Sequence, residues 1–278
     1  MKRLLVLGTG MGVKMSEHEQ IEHIAKAGWN GVFTQWSDGC DLKPTAKLVK
    51  DLGLVYQSVH ADFGTVDKLW DEGEAGDKEA DLQIRCLRDC ADAGVDLVIM
   101  HTIIGMEKNT PTQLGVERYK RISDAAKALG VRIALENTEG ECYLATLMNA
   151  FENEKHIGFC VDTGHEMCYN HGADLISKYG DRLFGTHLND NMGQTGDNIT
   201  WLDDSHMLPF DGIRDWTVVA DRLNKAGFVG PLTFEIIKTD RPERTCNSIY
   251  SKLSFDEYLA LALRRAQKFA DMVSARKK

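Results

Sequence analysis

Residues 159–167 read FCVDTGHEM: an apolar, strand-like run stops at Asp162, passes Gly164 and presents His165. A carboxylate directly after Phe159, Cys160 and Val161 is badly placed for the interior of a sheet, where an unpartnered charge is costly. It suits the mouth of a barrel of parallel strands, where strands end and side chains converge. On this reading Asp162 ends its strand to reach a cation, and Gly164 lets the chain turn so that His165 faces the same cavity.

Working outward, the same kind of run recurs along the chain, alternating with helical segments and with no linker between halves. The strand-like runs fall at 3–7, 31–36, 54–60, 96–101, 131–137, 157–162, 182–188 and 232–237. Helix boundaries are legible between them. Ser16 and Glu19 make a capping box, and Thr110 with Pro111 supplies an N-cap and a first helical residue. Gly28, Gly130 and Gly227 stand as C-terminal stops. Ser254 and Glu257 cap the last helix, whose Leu259, Ala262, Leu263, Ala266, Phe269 and Val273 form one apolar face.

Eight strand–helix pairs in 278 residues have the count and length of a (β/α)8 TIM barrel, a single α/β domain over 1–278. A doubly wound sheet also alternates strand and helix. However, Gly8-Thr9-Gly10-Met11-Gly12 is not the GxGxxG of a dinucleotide site, and the second run ends in Gln35-Trp36 rather than the acid a ribose needs.

Composition narrows the function classes. The chain is 43% hydrophobic and 27% charged, ordinary for a globular protein. Seven cysteines, an odd number with no CxxC pair, argue against a disulfide framework or a thiolate zinc site, and fit a reducing, cytoplasmic setting. Cys86 and Cys90, four apart on a helix, read as packing. The apolar run at the N-terminus stops at Gly8, too short for a signal segment or a membrane span, so no membrane partner is expected. A net charge of −9 disfavours a surface for polyanions, so no nucleic-acid partner is expected either.

The strand endings share a theme. His60 ends the third run, His101 the fourth, Glu136 the fifth and Asp162 the sixth; His187 lies in the seventh and Glu235 in the eighth. The long loop after the seventh adds Asp204 and His206. Taken singly, each is as readily a cap or loop anchor as a ligand. Together, Glu136, Asp162, His187 and Glu235 put one metal-competent side chain from each of four consecutive strands on one rim, which points to a divalent metal site. Three carboxylates and an imidazole suit Mn²⁺ first, with Co²⁺ or Mg²⁺ close behind, and Zn²⁺ if further histidines join.

Trp36, Phe63, Trp70 and Trp201 lie at strand ends or in rim loops, where they either stack on a sugar face or pack the loops. Lys238, Arg241 and Arg244 follow the last strand and would meet a phosphate or carboxylate, or else form a solvated loop or a subunit contact. A homo-oligomer therefore stays open.

The motifs ALENT (134–138), VDTGH (161–165), THLND (186–190), DDSH (203–206) with PFDGIRDW (209–216), and FE (234–235), in this order, resemble the xylose isomerase-like TIM-barrel superfamily. The pattern is most similar to its sugar phosphate isomerase/epimerase group, which includes ketose 3-epimerases and hydroxypyruvate isomerase. The resemblance spans the whole barrel. It implies Glu136, Asp162, His187 and Glu235 as metal ligands, with Glu136 and Glu235 doubling as acid/base groups and His165 holding a substrate oxygen. His60, His101, Asp204, His206, Trp36 and Lys238 complete the candidate substrate-binding set. Two departures concern the substrate. Pro209-Phe210-Asp211-Gly212 replaces the family's Pro-Gly-x-Gly, and Asn189, Asp190 and Asn191 stand where ketose 3-epimerases tend to carry an arginine.

The leading expectation is therefore a metal-dependent isomerase or epimerase of a small sugar or keto-sugar, phosphorylated or free, working through an ene-diolate. A lyase or dehydratase acting on a keto-sugar or keto-inositol would use the same enolate and expel a leaving group. An endonuclease IV-like zinc phosphodiesterase is a third reading, since nine ligand-type residues occur: His60, His101, Glu136, Asp162, His165, His187, Asp204, His206 and Glu235. The acidic segment at 62–81 and the net charge oppose it. A non-catalytic sugar-binding barrel is the fourth, though binding alone has little need for two carboxylates on one cation. Finally, the segment at 193–212 is expected to act as a lid that brings Asp204, His206 and Trp201 over the substrate.

Overall fold

The computed structural model describes residues 3–106, 110–194, 197–198 and 200–275. Its strands are β1 (Leu5–Gly8), β2 (Gly31–Gln35), β3 (Val55–His60), β4 (Leu97–His101), β5 (Arg132–Glu136), β6 (Ile157–Asp162), β7 (Leu183–His187) and β8 (Leu232–Phe234). Between and after them run α1 (Glu17–Ala27), α2 (Leu42–Asp51), α3 (Glu74–Ala93), α4 (Gln113–Leu129), α5 (Glu141–Ala150), α6 (Thr163–Cys168), α7 (Leu175–Tyr179), α8 (Trp216–Lys225) and α9 (Phe255–Ala275).

Each strand from β1 to β6 pairs in parallel with its successor, and β1 pairs in parallel with β8. A parallel bridge between Leu188 and Phe234 closes the ring, with the Leu188 N–H donating to the Thr233 carbonyl at 2.9 Å. The fold is the expected single-domain (β/α)8 barrel.

Side chains alternate across a strand with period two. In β4 to β6, Val98, Met100, Ile133, Leu135, Phe159 and Val161 face the helices and join the large buried core. Leu97, Ile99, Ala134 and Cys160 form a separate buried cluster, the packed barrel interior. Two residues further along each strand, the interior face presents His101, Glu136 and Asp162. Strand period alone thus lifts the three side chains from an apolar plug to the C-terminal rim.

Ser16 and Glu19 form the expected reciprocal capping box on α1, and Gly28 and Gly130 close α1 and α4 in the left-handed conformation at φ 95° and 70°. Two boundaries differ from expectation. Thr112, not Thr110, caps α4, its hydroxyl accepting from the Gly115 N–H at 3.2 Å. Strand β8 stops at Phe234, so Glu235 lies just beyond the strand rather than within it.

Candidate metal centre and active site

Glu136, Asp162, His187 and Glu235 each place a ligand atom within 4.8 Å of all the others. His187 Nδ1 is the meeting point, 2.8 Å from Glu136 Oε1 and 3.0 Å from Glu235 Oε2. Phe33 stacks on the His187 ring at 4.7 Å between centroids and fixes its plane. His187 Nε2 is buried and has no hydrogen-bond partner among the described residues. One imidazole nitrogen carries at most one proton, yet two carboxylate oxygens, one fully buried and one at the cavity edge, converge on it. A cation among them answers that arrangement, and the oxygen-rich set with one nitrogen fits a hard or borderline divalent ion.

Asp162 is held from two sides. Its Oδ1 caps α6 by accepting from the His165 N–H at 2.7 Å, and its Oδ2 accepts from Asn189 Nδ2 at 2.7 Å. The abrupt stop of β6 is thus a helix cap as well as a ligand position. Gly164 is required for a different reason than the turn expected from sequence. It lies inside α6 without a positive φ, and a Cβ there would stand 2.0 Å from Asn189 Oδ1. The glycine makes room for the residue that positions Asp162.

Burial and charge pull these groups apart. Burial would raise the Glu136 carboxyl, but the field of His187 and hydrogen bonds from His101, His187 and His60 hold it well below the usual range. In Glu235 burial is likewise outweighed by His187 and His206, and its carboxyl is lowered to about 2. Asp162 goes the other way, pushed by burial up to about 6 despite His165 and His206. Cys160 lies close enough to Glu136 and His187 to suggest a soft ligand, but burial raises its thiol well above the ordinary value and its neighbours are apolar.

Three further histidines share one arrangement. Nδ1 of His60 meets the Ala61 carbonyl at 2.7 Å, Nδ1 of His165 the Asn137 carbonyl at 2.8 Å, and Nδ1 of His206 the Glu235 carbonyl at 3.0 Å. A carbonyl only accepts, so each Nδ1 carries the proton and donates. Each Nε2 then faces a carboxylate: His60 to Glu136 Oε2 at 3.1 Å, His165 to Asp204 Oδ2 at 3.2 Å, His206 to the same Oδ2 at 2.8 Å. Between such acceptors stands either a second proton or a cation. His101 Nε2 lies 3.4 Å from Glu136 Oε2, and two more donor groups result: His60, His101 and Glu136, and His165, Asp204 and His206.

The segment expected to act as a lid packs on the rim at Asp204 and His206. Residues 195, 196 and 199 lie outside the described residues. Asp204 and His206 are already buried against His165, and an isolated antiparallel bridge between Asp190 and Met207 pins the segment that carries them. His206 adopts φ 47°, a left-handed backbone uncommon outside glycine, and its carbonyl accepts from the Ile237 N–H at 2.8 Å. Trp201, by contrast, is 52% exposed at the mouth.

A cavity of about 510 Å³ opens over this rim, lined among others by His60, His101, His165, Asp204, His206 and Glu235. Two expected substrate contacts do not reach it. Trp36 is core, its indole N–H donating to Asp89 Oδ2 at 2.8 Å. Lys238 turns away, its ammonium donating to the Tyr250 carbonyl at 3.0 Å. A strand-end position says which rim a residue is on, but not whether its side chain turns to the axis or to the helices. Arg241, Gln35, Glu139 and Tyr169 do line the cavity. Asn137 and Asn189 are supports that residue-type reasoning passed over. The Asn137 amide donates to the Asp162 carbonyl and accepts from the Asp162 N–H, at 2.9 and 2.8 Å. Their signal was adjacency to Glu136 and His187 in ALENT and THLND.

Fold and rim together define a (β/α)8 barrel with a cluster of metal-competent side chains at its C-terminal mouth. More particularly, the chain belongs to the xylose isomerase-like TIM barrel family, which matches residues 21–250. An uncharacterised protein of Sinorhizobium fredii, y4fM, is 26% identical over 264 residues, covering 81% of this chain and 82% of its own length. Among solved structures, a fusion of a xylose isomerase-like TIM barrel with 4-hydroxyphenylpyruvate dioxygenase superposes with TM-score 0.78 at 19% identity, over 99% of this chain but 44% of that one. The IolI protein with a bound zinc atom gives 0.74 at 20% identity over 99% of both chains. D-allulose 3-epimerase from Methylomonas sp. in complex with D-allulose gives 0.69 at 17%, over 98% and 97%. At these identities the structural likeness is one of fold. No helix among the described residues is long and apolar enough to cross a membrane.

Proposed function

We propose that this protein is a divalent-metal-dependent isomerase or epimerase of a small keto-sugar. The observation that carries the reading is the convergence of Glu136 and Glu235 on His187 Nδ1, with Asp162 beside them. Glu136, Asp162, His187 and Glu235 would hold the ion, Mn²⁺ being our first choice. When bound, such an ion draws electron density from a neighbouring carbonyl and hydroxyl and lowers the cost of negative charge on them.

The chain's own residues do the rest. Glu235 lines the cavity with its side chain 19% exposed, whereas Glu136 is fully buried beneath the imidazoles of His60, His101 and His187. Glu235 is therefore the carboxylate placed to take a proton from a carbon next to the carbonyl, and Glu136 the partner that returns one from the other side. His165 and His206 line the cavity, both Nε2 atoms meeting at Asp204 Oδ2, and would orient a substrate oxygen. The buried Asp204 carboxylate keeps both imidazoles in place. The IolI and D-allulose 3-epimerase likenesses are consistent with metal and ketose chemistry on this barrel.

Screening ketoses for solvent deuterium uptake by protein supplied with Mn²⁺, Co²⁺ or Zn²⁺ tests the reading. Uptake at a carbon beside the carbonyl is expected, and its absence across ketoses with every metal would contradict it.

A second reading has a specific observation in its favour. The three neighbouring donor groups, centred on His60–His101, on His187 and on Asp204, are what a three-zinc phosphodiesterase would need. The net charge of −9 and the acidic segment at 62–81 oppose a phosphate backbone. Close to three zinc ions per chain, with cleavage of a phosphodiester, would favour this reading over the isomerase.

A further inference from the structure

The cavity's outer wall carries a hydroxyl that the protein itself does not use. Tyr169 is 8% exposed and lines the cavity, its ring held 5.0 Å from that of His165 and its backbone N–H bonded to the His165 carbonyl at 2.7 Å. Its hydroxyl has no protein hydrogen-bond partner among the described residues. The hydroxyl is not among the fully buried unpaired atoms, so it stays open to the cavity and free to bond a ligand there. Burial, reinforced by Asp204 and Glu139, keeps the phenol protonated, so the group it offers is a neutral donor. Gln35 lines the same cavity with an amide that likewise has no partner among the described residues.

The cations near this wall are already engaged. The Lys238 ammonium donates to the Tyr250 carbonyl at 3.0 Å, and Arg244 Nε donates to Asp203 Oδ1 at 3.0 Å. Arg241 alone among the cations after β8 reaches the cavity. Its Nε donates to the Asp204 carbonyl at 2.8 Å, its Nη2 lies 3.9 Å from Asp204 Oδ2, and its guanidinium stands 5.8 Å from the Trp201 ring centre. Glu139 lines the cavity too. The Asp204 carboxylate beside this guanidinium offsets part of its charge toward an anion, whereas its remaining N–H groups still suit neutral oxygens. A phosphate or carboxylate tail would have to lose water beside Asp204 and Glu139, where Arg241, His165 and His206 are already paired with the Asp204 carboxylate.

We propose, resting on the isomerase reading above, that Tyr169 is a substrate-binding residue whose hydroxyl donates to an oxygen of an uncharged keto-sugar, and that the cavity selects free ketoses over their phosphate esters. The reacting carbons sit over Glu235 and the hydroxylated tail extends toward Tyr169 and Gln35, with Trp201 covering it at the mouth. Trp201 supplies an apolar face and Arg241 a hydrogen-bonding edge, a combination that matches the two sides of a polyol chain.

The test uses the full chain loaded with Mn²⁺, and its Tyr169→Phe variant. Calorimetric titration with D-fructose, D-allulose and D-ribulose, each beside its terminal phosphate ester, reads affinity without requiring turnover. We expect the best-bound free ketose to bind at least about tenfold more tightly than its ester, and Tyr169→Phe to weaken that ketose about fivefold to tenfold, one lost hydrogen bond. Metal content should be unchanged, and the thermal midpoint equal or higher, because the hydroxyl has no protein partner to lose. An ester that binds more tightly than its ketose, an unchanged ketose affinity in Tyr169→Phe, a lowered midpoint in that variant, or no binding of any probe would each overturn the proposal. Ketose binding without deuterium uptake would instead count against the isomerase reading and leave this assignment standing.

Discussion

Nδ1 of His187 lies 2.8 Å from Glu136 Oε1 and 3.0 Å from Glu235 Oε2, so one ring nitrogen joins carboxylates brought from β5 and from just beyond β8. Around the closed ring, β6 and β7 lie between those two, joined to β8 through the Leu188–Phe234 bridge. The arrangement accompanies barrel closure: the Leu188–Phe234 bridge and the Glu235 N–H bond to the Leu188 carbonyl at 3.3 Å bring Glu235 beside the end of β7. The proposed metal centre and the closed fold depend on the same contact.

Asn189 tests how far the metal centre depends on the groups behind its ligands. Its Nδ2 holds Asp162 Oδ2 at 2.7 Å. Asn189→Ala should weaken metal binding by about tenfold to a hundredfold, the usual effect of losing a supporting hydrogen bond to a ligand. Competition with a fluorescent chelator measures it. Unchanged affinity would remove Asp162 from the ligand set.

The metal-free protein should lose stability as the medium becomes alkaline. Burial lowers His206, but Asp204 overrides it and raises the imidazole to about 9, above its unfolded value of about 6.5. A raised imidazole contributes stability that is fully present below about 6.5 and is lost as pH rises through about 9. Asp162, raised to about 6, acts in the same direction over a lower window: its contribution is present below about 3.8 and gone above about 6. Thermal midpoints of metal-free protein should fall between pH 7 and 9.5, and fall less in His206→Gln. Equal slopes in the two proteins would mean that the His206–Asp204 pair is not an imidazolium–carboxylate pair.

His206→Ala separates catalysis from the first metal. His206 lies outside the Glu136, Asp162, His187 and Glu235 set, and bonds Asp204 Oδ2 at 2.8 Å. The variant should keep one metal per chain while deuterium uptake falls by about tenfold or more. Unchanged kinetics would return the Asp204–His206 segment to a purely structural role.

How much of this was legible in the sequence follows from what each signal encodes. Barrel class was legible because hydrophobic runs and caps such as Ser16–Glu19 report local structure, and eight strand–helix pairs admit few architectures. The rim residues were legible because a polar residue ending an apolar strand has few other places to go. Side-chain direction was not. Trp36 and Lys238 sit beside the mouth yet turn to Asp89 and Tyr250, partners that lie 53 and 12 residues away in sequence. Gly164 was noticed for the wrong reason, since the group it accommodates, Asn189 Oδ1, arrives from the next strand's end. Tyr169 gave no sign at all, because an unpartnered hydroxyl is a property of the packed cavity.

The most direct test of the central claim replaces each glutamate by its amide and measures metal content, turnover and solvent deuterium uptake in the same samples. Provided metal is retained, Glu235→Gln and Glu136→Gln should each lower turnover by at least about a hundredfold, the scale of a general base. Glu136→Gln should still exchange a substrate proton with solvent deuterium through Glu235, which faces the cavity, whereas Glu235→Gln should not. Wild-type turnover in both metal-replete variants would contradict the proposed proton transfer by the glutamate pair.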